Sequence, residues 1–465
     1  MDKIMVTTKM LKKLINEKNI LELRNIFDEY NGVDIAEIAS SLTVPELLFI
    51  FKTVPPSDTA EMFTYLEHDV KKKLINDLSG EQLGNLLEFI YNDDIVDFIQ
   101  EMPSNLVRKI LKSAHKETRN EVNLLLNYAP NSAGSIMTTE YIELKSFDSV
   151  SEAINKIRKF GREAETISYL YIVDDKRLLV GSLKLKELLI ADEKEVVNDI
   201  MDTNFVSVTT HDDQEEVAQV FKKYDMSTLP VTTDDGRLVG IITFDDIIDV
   251  IEEETTEDIH KMAGVAALDE QYIKTSNVTL ARKRLTWLLF LMVSATLTGL
   301  IINGYEGLLT HLPVLSIFVP MLMGTAGNAG SQVSVLIIRA LALEEISESD
   351  YFIVVRKELG VALIVGGVLS VIAFIWIMFQ FLTGMISSSW ANTFEREVLV
   401  AFVVALSLYI TVLFSKTIGA TLPILAKKLN IDPALMASAL VTTIADSLAI
   451  IIYFVLALSI LGNFF

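Results

Sequence analysis

The sequence predicts a multidomain protein with four parts in chain order: an all-α superhelical N-terminal domain, an α/β module of two repeated copies, a long connecting helix and an all-α membrane domain of five transmembrane helices. Three observations predict this order. Amphipathic segments recur about every twelve residues, a strand–helix pattern then occurs twice, and five long apolar stretches follow. We expect the parts to cover residues 1–130, 131–250, 251–280 and 281–465.

The charged residues are divided unevenly between these parts. Residues 281–465 contain ten Lys or Arg and ten Asp or Glu, so the whole net charge of −22 lies before Ala281. A polyanion of this density repels nucleic acid, and cations are its natural small partners. An acidic surface that only aids solubility is the alternative. Cysteine is absent and histidine occurs five times, so any cation site must be built from oxygen ligands.

The first part is predicted to contain short helices only. They begin near Pro45, Ser57, Asp69, Gly80, Asp93 and Ser104, each with a polar or proline-containing start before apolar positions. Such a period favours stacked helices in a superhelix, although an irregular helical bundle fits the pattern equally well. The first twenty residues lack the apolar core of a signal peptide, so we expect this part to stay in the cytoplasm.

An internal repeat follows. Met137 aligns with Met201 and Gly181 with Gly240, and each copy is predicted as strand, helix, strand, tight turn, strand and helix. This order resembles a tandem of cystathionine-β-synthase-type (CBS) domains. The resemblance implies a regulatory module, usually dimeric and without catalysis, that can bind adenine nucleotides or metal ions.

A helix is predicted from Phe244 to Lys274 as the connection to the membrane domain. Its segment FDDIIDVIEEETTEDIH contains eight carboxylates and no Lys or Arg. Residues three and four apart face each other on a helix, so these side chains repel one another. A divalent cation relieves this repulsion, and a solvated negative face is the alternative.

Five apolar stretches are long enough to cross a bilayer of about 30 Å hydrocarbon thickness. They cover about 285–303, 312–338, 359–382, 397–422 and 433–461. Basic residues concentrate in the connections on one side, beginning with Arg282, Lys283 and Arg284. The positive-inside rule therefore predicts residues 1–280 in the cytoplasm and the C-terminus outside a cell membrane crossed several times.

Polar residues inside these spans indicate function. Asp446 is the only charged residue between Pro433 and Phe465, and a carboxylate at mid-membrane depth requires water, a partner or an ion. Ser438 and Thr442 lie on the same helical stripe, with Thr443 beside them. The second span contributes Asn328 and Gln332, one turn apart, within the glycine-rich segment PMLMGTAGNAGSQ. We expect these residues to line a pore; a glycine-rich packing surface is the alternative for the second span.

The two motifs resemble those of MgtE-type magnesium channels. The matching positions are Pro320-x-Leu322-x-Gly324-x-x-Gly327-Asn328-x-Gly330-x-Gln332 and Thr442-Thr443-x-x-Asp446. The resemblance covers the whole chain in the same domain order. It implies a homodimer with a central pore at the subunit interface, Mg²⁺ as the ion that passes into the cytoplasm down its gradient, and closure by cytosolic Mg²⁺. Gly327 then belongs to the pore lining with the polar residues above.

The resemblance also implies which acidic residues bind regulatory Mg²⁺. They are Glu61, Asp93, Asp94, Asp97, Glu215, Asp225, Asp246, Asp249, Glu254, Glu257, Asp258 and Asp432. Carboxylates within ~6 Å repel without an ion and are drawn together by a bridging one.

Other functions stay open at this point. Transport of another divalent cation such as Mn²⁺ or Co²⁺, or ion-coupled exchange, keeps the same architecture. A membrane-anchored CBS sensor that conducts nothing is a different class, and the intramembrane polar residues argue against it. An enzyme is not expected, because no phosphate-binding loop, nucleophile–base pair or zinc motif occurs in the sequence.

Overall fold

A computed structural model describes residues 7–100, 102–267, 272–273, 275–386, 391, 393–436 and 438–462. The chain divides into two compact units, the first ending at Glu252 and the second beginning at Glu253. Each unit has hydrophobic cores of its own.

The first unit begins with ten short helices, which confirms the predicted all-α domain. All six predicted helix starts lie within one residue of the observed ones. The helices are α1 (Thr8–Glu17), α2 (Ile20–Glu29), α3 (Gly32–Ala39), α4 (Val44–Thr53), α5 (Pro56–Thr64), α6 (His68–Asp77), α7 (Gly80–Leu87), α8 (Asn92–Gln100), α9 (Ser104–Ser113) and α10 (Lys116–Leu125).

Local capping and alternate packing explain this arrangement. Thr43 and Ser79 form capping boxes with the side chains three residues later, so α4 and α7 begin at fixed points. Helix α3 packs on α5, α5 on α7 and α7 on α9, while α4 packs on α6. This contact between every second helix is that of a stacked superhelix rather than of an irregular bundle.

The two repeated copies form two three-stranded sheets of identical topology. The first copy contains β1 (Glu143–Lys145), α11 (Val150–Phe160), β2 (Tyr169–Val173), β3 (Leu179–Lys184), α12 (Leu185–Ile190) and α13 (Val197–Ile200). The second contains β4 (Val208–Thr209), α14 (Gln214–Tyr224), β5 (Thr228–Thr232) and β6 (Leu238–Thr243). In each sheet the first strand is parallel to the second, which is antiparallel to the third.

Each copy is completed by the start of the other. A Cβ atom added to Gly240 in β6 would lie 2.6 Å from Sδ of Met137, the residue that opens the first copy. The reciprocal atom on Gly181 in β3 would lie 2.6 Å from Sδ of Met201, which opens the second. The aligned Met and Gly pairs of the sequence repeat are therefore contact pairs across the two copies.

The connecting helix α15 (Phe244–Met262) is shorter than predicted. The prediction continued to Lys274, but the helix stops before Gly264, which has a left-handed φ of 67°. A side chain at Gly264 would clash with the indole of Trp287, so the backbone turns there against the next helix. Residues 268–271 and 274, also within the predicted helix, lie outside the described part of the chain.

Among its described residues, the second unit contains five helical stretches long and apolar enough to cross a membrane, as predicted. Its helices are α16 (Asn277–Gly304), α17 (Glu306–His311), α18 (Val319–Ala342), α19 (Tyr351–Leu382), α20 (Phe394–Lys428) and α21 (Ser438–Leu461). Short 3-10 helices precede α18, α19 and α21 at Pro313–Phe318, Glu348–Asp350 and Pro433–Met436.

Glycine contacts bring the central helices together. Helix α18 packs on both α20 and α21, and the backbone of Gly419 in α20 lies against that of Gly330 in α18. A Cβ on Gly330 would also lie 2.8 Å from Cγ1 of Val441 in α21. Small residues at these positions allow close backbone approach, which is typical of helix packing in membranes.

Candidate cation-binding sites

The predicted intramembrane residues meet where α18 crosses α21. A Cβ on Gly327 would lie 2.6 Å from Cγ2 of Thr442 and 3.1 Å from Oδ1 of Asp446. Glycine is therefore the residue that lets the two helices approach at the level of the carboxylate. Oδ1 of Asp446 is shielded from solvent and accepts no hydrogen bond from the described residues. A carboxylate oxygen in this state is available as a ligand for a cation.

The other predicted pore residues are divided between two faces. Asn328 and Gln332 are both exposed on α18 in the single chain, one turn apart and next to the buried Gly327. Thr443 donates to the carbonyl of Ala439, 3.0 Å away on its own helix. The side chain of Ser438 lies outside the described part of the chain. The structure thus joins Gly327, Thr442 and Asp446 and presents the two amides on a neighbouring surface.

A carboxylate cluster lies in the first unit. Asp93 comes from α8, Glu165 from the connection between α11 and β2, and Asp246 from the first turn of α15. One oxygen of each lies within 4.8 Å of one oxygen of the other two. Asp93 is 5% exposed, and its Oδ1 and Glu165 Oε2 are shielded without a hydrogen-bond partner among the described residues. We call these three residues the acidic triad.

The electrostatics of the acidic triad are unfavourable without a cation. Burial, followed by repulsion from Glu165 and Asp246, raises the pKa of Asp93 well above its ordinary value. Burial and the charge of Asp246 raise the pKa of Glu165 to about 7, and burial raises the pKa of Asp246 to about 6. Oγ1 of Thr243 lies 2.5 Å from Asp246 Oδ2 and 3.1 Å from Glu165 Oε1, and its single hydroxyl hydrogen partly offsets the repulsion. Buried carboxylates with open oxygen positions fit a hard divalent cation.

A second group of carboxylates extends the acidic triad. Burial raises the pKa of Asp94; the ammonium of Lys71 opposes this, and the charges of Asp245 and Asp249 add to it. Tyr65 lies among the same groups, since burial and the charges of Asp94, Glu61, Asp245 and Asp249 raise the pKa of its hydroxyl. Glu61 also accepts a hydrogen bond from the backbone amide of Gly32 at 3.3 Å.

The other three predicted ligands of the first unit lie on α8, on α14 and at the end of α14. Asp97 and Glu215 are exposed on α8 and α14. Asp225 ends α14 with a left-handed φ of 49° and lines a cleft of about 270 Å³ between the repeats. Tyr169, Lys184, Phe205 and Tyr224 line the same cleft.

The remaining four predicted ligands gather in the second unit around a lysine. Nζ of Lys261 lies 2.8 Å from Oε1 of Glu257 and 2.6 Å from Oδ2 of Asp432. Burial raises the pKa of Asp258, and the charges of Asp432, Glu254 and Glu257 act in the same direction. Burial alone would lower the pKa of the Lys261 ammonium, but its hydrogen bonds to Asp432 and Glu257 raise it above the ordinary value.

Sequence reasoning missed Glu165 and Lys261. Glu165 lies in the connection 161–168, whereas the corresponding connection 225–227 of the second copy is five residues shorter. This extra length in the first copy is the sequence signal that could have pointed to Glu165. Lys261 directly follows the acidic segment that ends at His260, so a slightly longer window contained its own counter-charge.

Three regions of the chain match known protein families. Residues 30–131 match the MgtE intracellular N domain, residues 133–194 and 197–253 match CBS domains, and residues 319–456 match the MgtE divalent cation transporter domain. Of the acidic triad, Asp93 lies in the N-domain match, Glu165 in the first CBS match and Asp246 near the end of the second CBS match.

Curated relatives and a solved structure agree. The chain is 34% identical to the magnesium transporter MgtE of Thermus thermophilus over 95% of this chain and 96% of that one. It is 31% identical to that of Bacillus subtilis over 96% and 95% of the two chains. A crystal structure of the soluble part of a magnesium transporter matches with a TM-score of 0.51 and 31% identity, over 53% of this chain and 97% of that chain. The chain is a multi-pass membrane protein of the MgtE family of divalent cation transporters.

Proposed function

We propose that the protein is a magnesium-selective channel or transporter that moves Mg²⁺ into the cytoplasm down its electrochemical gradient. The observation that carries this proposal is Oδ1 of Asp446, which lies beside Gly327 inside an apolar span, shielded and without a hydrogen-bond partner among the described residues. Mg²⁺ gives up its water reluctantly and is usually held by one or two carboxylates with waters retained. One Asp446 from each of two chains would hold a hydrated ion weakly enough for it to leave again.

A homodimer follows from the same site. Asn328 and Gln332 are amide side chains exposed on an intramembrane helix of a single chain, where contact with lipid is unfavourable. A second copy facing this surface would enclose a water-filled path lined by amide oxygens, with Thr442 and Asp446 alongside. The basic residues before the first span support a cytoplasmic location for residues 1–280 and an outside location for the C-terminus.

Cytosolic Mg²⁺ closes the pathway in this proposal. An ion at the acidic triad would join α8, the connection before β2 and the start of α15, three segments that are far apart in sequence. The donor set fits, since all three groups are carboxylates and two of their oxygens are shielded with no hydrogen-bond partner in the described part of the chain. Asp94, with Glu61 and Asp249 near it, would add further ligands or a negative field that attracts the ion. Asp97, Glu215 and Asp225 would bind or attract regulatory ions elsewhere in the first unit.

The connecting helix carries the second regulatory position. Burial and the charges of Asp432, Glu254 and Glu257 raise the pKa of Asp258, so a cation is favoured among these carboxylates. Lys261 already supplies one positive charge there. Binding of Mg²⁺ beside it would hold α15 against the segment before the last span, which is a hinge-type coupling to the pore.

Adenine nucleotide is a further proposed ligand of the repeat module. The cleft between the repeats offers the aromatic rings of Tyr169, Phe205 and Tyr224 for a base and the ammonium of Lys184 for a phosphate. Titration of the full chain with ATP, read by protein fluorescence, tests this assignment. Equal ATP affinity in wild type and Lys184→Ala would contradict it.

Divalent flux into proteoliposomes tests the proposed function. Wild type is expected to take up Mg²⁺ in preference to Mn²⁺ and Co²⁺ without a proton or sodium gradient. Asp446→Asn, which keeps the shape and removes the charge, should reduce uptake at least tenfold. Glu348→Gln is a matched control, because Glu348 is an exposed carboxylate of the same unit. Undiminished uptake in Asp446→Asn would overturn the proposal, and uptake that requires a proton or sodium gradient would change it to exchange.

A further inference from the structure

Thr298 is a polar residue in an unexpected place. It lies on α16, the first span. Only 6% of the most apolar stretch of this helix is buried within the chain. Thr298 itself is 5% exposed and is the one buried residue of this helix. A span that packs by apolar contact would bury a Leu or Ile instead. The contact at Thr298 is therefore a specific one.

The partner of Thr298 is the residue next to Asp446. Oγ1 of Thr298 lies 2.8 Å from Oγ of Ser447 on α21, so one hydroxyl donates to the other across two spans. Other hydroxyls of these helices satisfy themselves locally: Thr296 donates to the carbonyl of Val293, and Ser459 to that of Val455. A hydroxyl in a membrane helix needs no neighbour for this purpose, so the bond between helices is a constraint rather than a requirement of burial.

This bond restrains the rotation of α21 and with it the position from which the Asp446 side chain projects. Successive residues of an α-helix differ by about 100° around the axis, so a fixed position of Ser447 fixes that of Asp446. With side chains about 6 Å from the axis, a rotation of 20° would move the carboxylate by about 2 Å. The contact of α21 with α18 at Gly327 sets how closely the helices approach, and the Thr298 bond, about 100° further around α21, restrains its rotation.

We propose that Thr298 and Ser447 are positioning residues that aim the Asp446 carboxylate and thereby set the discrimination between Mg²⁺ and larger divalent cations. This inference rests on the proposed conduction of Mg²⁺ past Asp446. A hydrated Mg²⁺ ion demands near-ideal octahedral geometry, whereas Ca²⁺ accepts irregular and larger coordination shells. A carboxylate that wanders by an ångström or two therefore loses Mg²⁺ preference before it loses cation binding.

The test measures selectivity and half-saturation rather than expression. Thr298→Val and Ser447→Ala are each reconstituted in proteoliposomes, and initial uptake of Mg²⁺ and Ca²⁺ is measured over a range of concentrations. We expect each variant to raise the half-saturating Mg²⁺ concentration about fivefold and to lower the Mg²⁺-to-Ca²⁺ uptake ratio by a similar factor. The double variant should show no larger change than either single one, because both remove the same bond. Thr298→Ser keeps the hydroxyl group and should retain the wild-type Mg²⁺-to-Ca²⁺ uptake ratio.

Matched controls separate positioning from general stability. Thr296→Val and Ser459→Ala remove hydroxyls from the same two helices that bond only within their own helix. Wild-type selectivity in both Thr298→Val and Ser447→Ala, or an equal loss in the controls, would overturn the inference. If Thr298→Val fails to assemble, Ser447→Ala decides. Asp446→Asn is measured alongside. If it loses flux while the Thr298 and Ser447 variants keep wild-type selectivity, only the positioning role is refuted. If Asp446→Asn keeps full flux, the proposed function itself is refuted.

Discussion

Nζ of Lys261 on the connecting helix lies 2.6 Å from Oδ2 of Asp432, the last acidic residue before the fifth span. Both side chains are about one-third exposed, at 27% and 31%. The ammonium group of Lys261 thus supplies a positive charge within a cluster of carboxylates that would otherwise favour a metal ion. Lys261 neutralises part of this cluster, in which we propose that regulatory Mg²⁺ also binds.

We expect Lys261→Gln to require more Mg²⁺ for closure. Without the ammonium, Glu257 and Asp432 repel each other in the arrangement that the structure shows. The midpoint of inhibition by cytoplasmic Mg²⁺ should rise roughly two- to tenfold, which corresponds to about 0.4–1.4 kcal/mol. Inhibition at saturating Mg²⁺ should be retained, because additional ions replace the lost charge.

Lys13→Gln is the control for this variant, since Lys13 forms an exposed pair with Glu17 at 3.9 Å. Flux is measured in proteoliposomes with buffered Mg²⁺ on the cytoplasmic side. A lower midpoint in Lys261→Gln would mean that the lysine competes with the ion instead of assisting closure.

Neutralising one residue of the acidic triad should make the protein more stable without Mg²⁺ and less sensitive to Mg²⁺. Asp93→Asn and Glu165→Gln each remove one buried charge that repels the other two. In EDTA, both variants should resist limited proteolysis longer than wild type. The Mg²⁺ concentration that protects the chain should increase at least tenfold, because a ligand is lost.

The isosteric control is Asp34→Asn on the exposed face of α3. It should leave both the EDTA and the Mg²⁺ behaviour unchanged. Protection at the wild-type Mg²⁺ concentration in both triad variants would remove the cluster from the sensing mechanism.

The acidic triad also predicts a pH dependence in the absence of Mg²⁺. The pKa values of Glu165 and Asp246 are raised from 4.5 to about 7 and from 3.8 to about 6. A carboxyl whose pKa is higher in the folded state contributes stability below the unfolded pKa and loses it as the pH rises through the folded one. The first unit should therefore gain on the order of 1–2 kcal/mol when the pH falls from 8 to 6 in EDTA.

Mg²⁺ should flatten this dependence, since the bound ion favours the charged carboxylates at every pH in the window. Unfolding of the full chain in detergent, followed at several pH values with and without Mg²⁺, checks the prediction. Stability that rises with pH between 6 and 8 in EDTA would contradict the sign.

Gly327→Ala is expected to abolish most of the flux. The added methyl group would overlap Cγ2 of Thr442 at 2.6 Å and press on Asp446 Oδ1 at 3.1 Å, so α18 and α21 must separate at the carboxylate. Gly324→Ala, one turn earlier on the same helix, has no atom within 4 Å of its added Cβ and serves as the control. Initial Mg²⁺ uptake should fall at least tenfold in the first variant and stay within about twofold of wild type in the second. Equal uptake in both would show that the close approach at Gly327 is not needed.

Much of this architecture was predictable because its signals are local. A proline or serine before an apolar run marks a helix start within one residue, and a single charge in a long apolar run, such as Asp446, is conspicuous. Glu165 has neither signal: its two partners are Asp93 and Asp246, more than seventy residues away on either side, and only folding brings the three together. Thr298 is equally silent in sequence, because a threonine in an apolar span most often bonds its own helix.

The end of α15 shows a different limit. Its acidic residues continue a helical pattern, and nothing in their periodicity marks a stop. The stop comes from Gly264 and from Trp287, whose indole occupies the space that a side chain at Gly264 would take. The left-handed Gly264, a local stop signal that the prediction did not use, and the tertiary contact with Trp287 together end the helix earlier than predicted.

The exchange of Met137 and Met201 between the repeats has a consequence for how such a module arises. A chain with only one copy would have a methionine without the glycine on which it packs, and a glycine whose adjacent space no methionine fills. Two such chains would satisfy each other by association, and joining them in one gene makes that association intramolecular, at an effective concentration near the millimolar range. Splitting the module between residues 190 and 200 should therefore give two fragments that recognise each other, and neither half should persist alone.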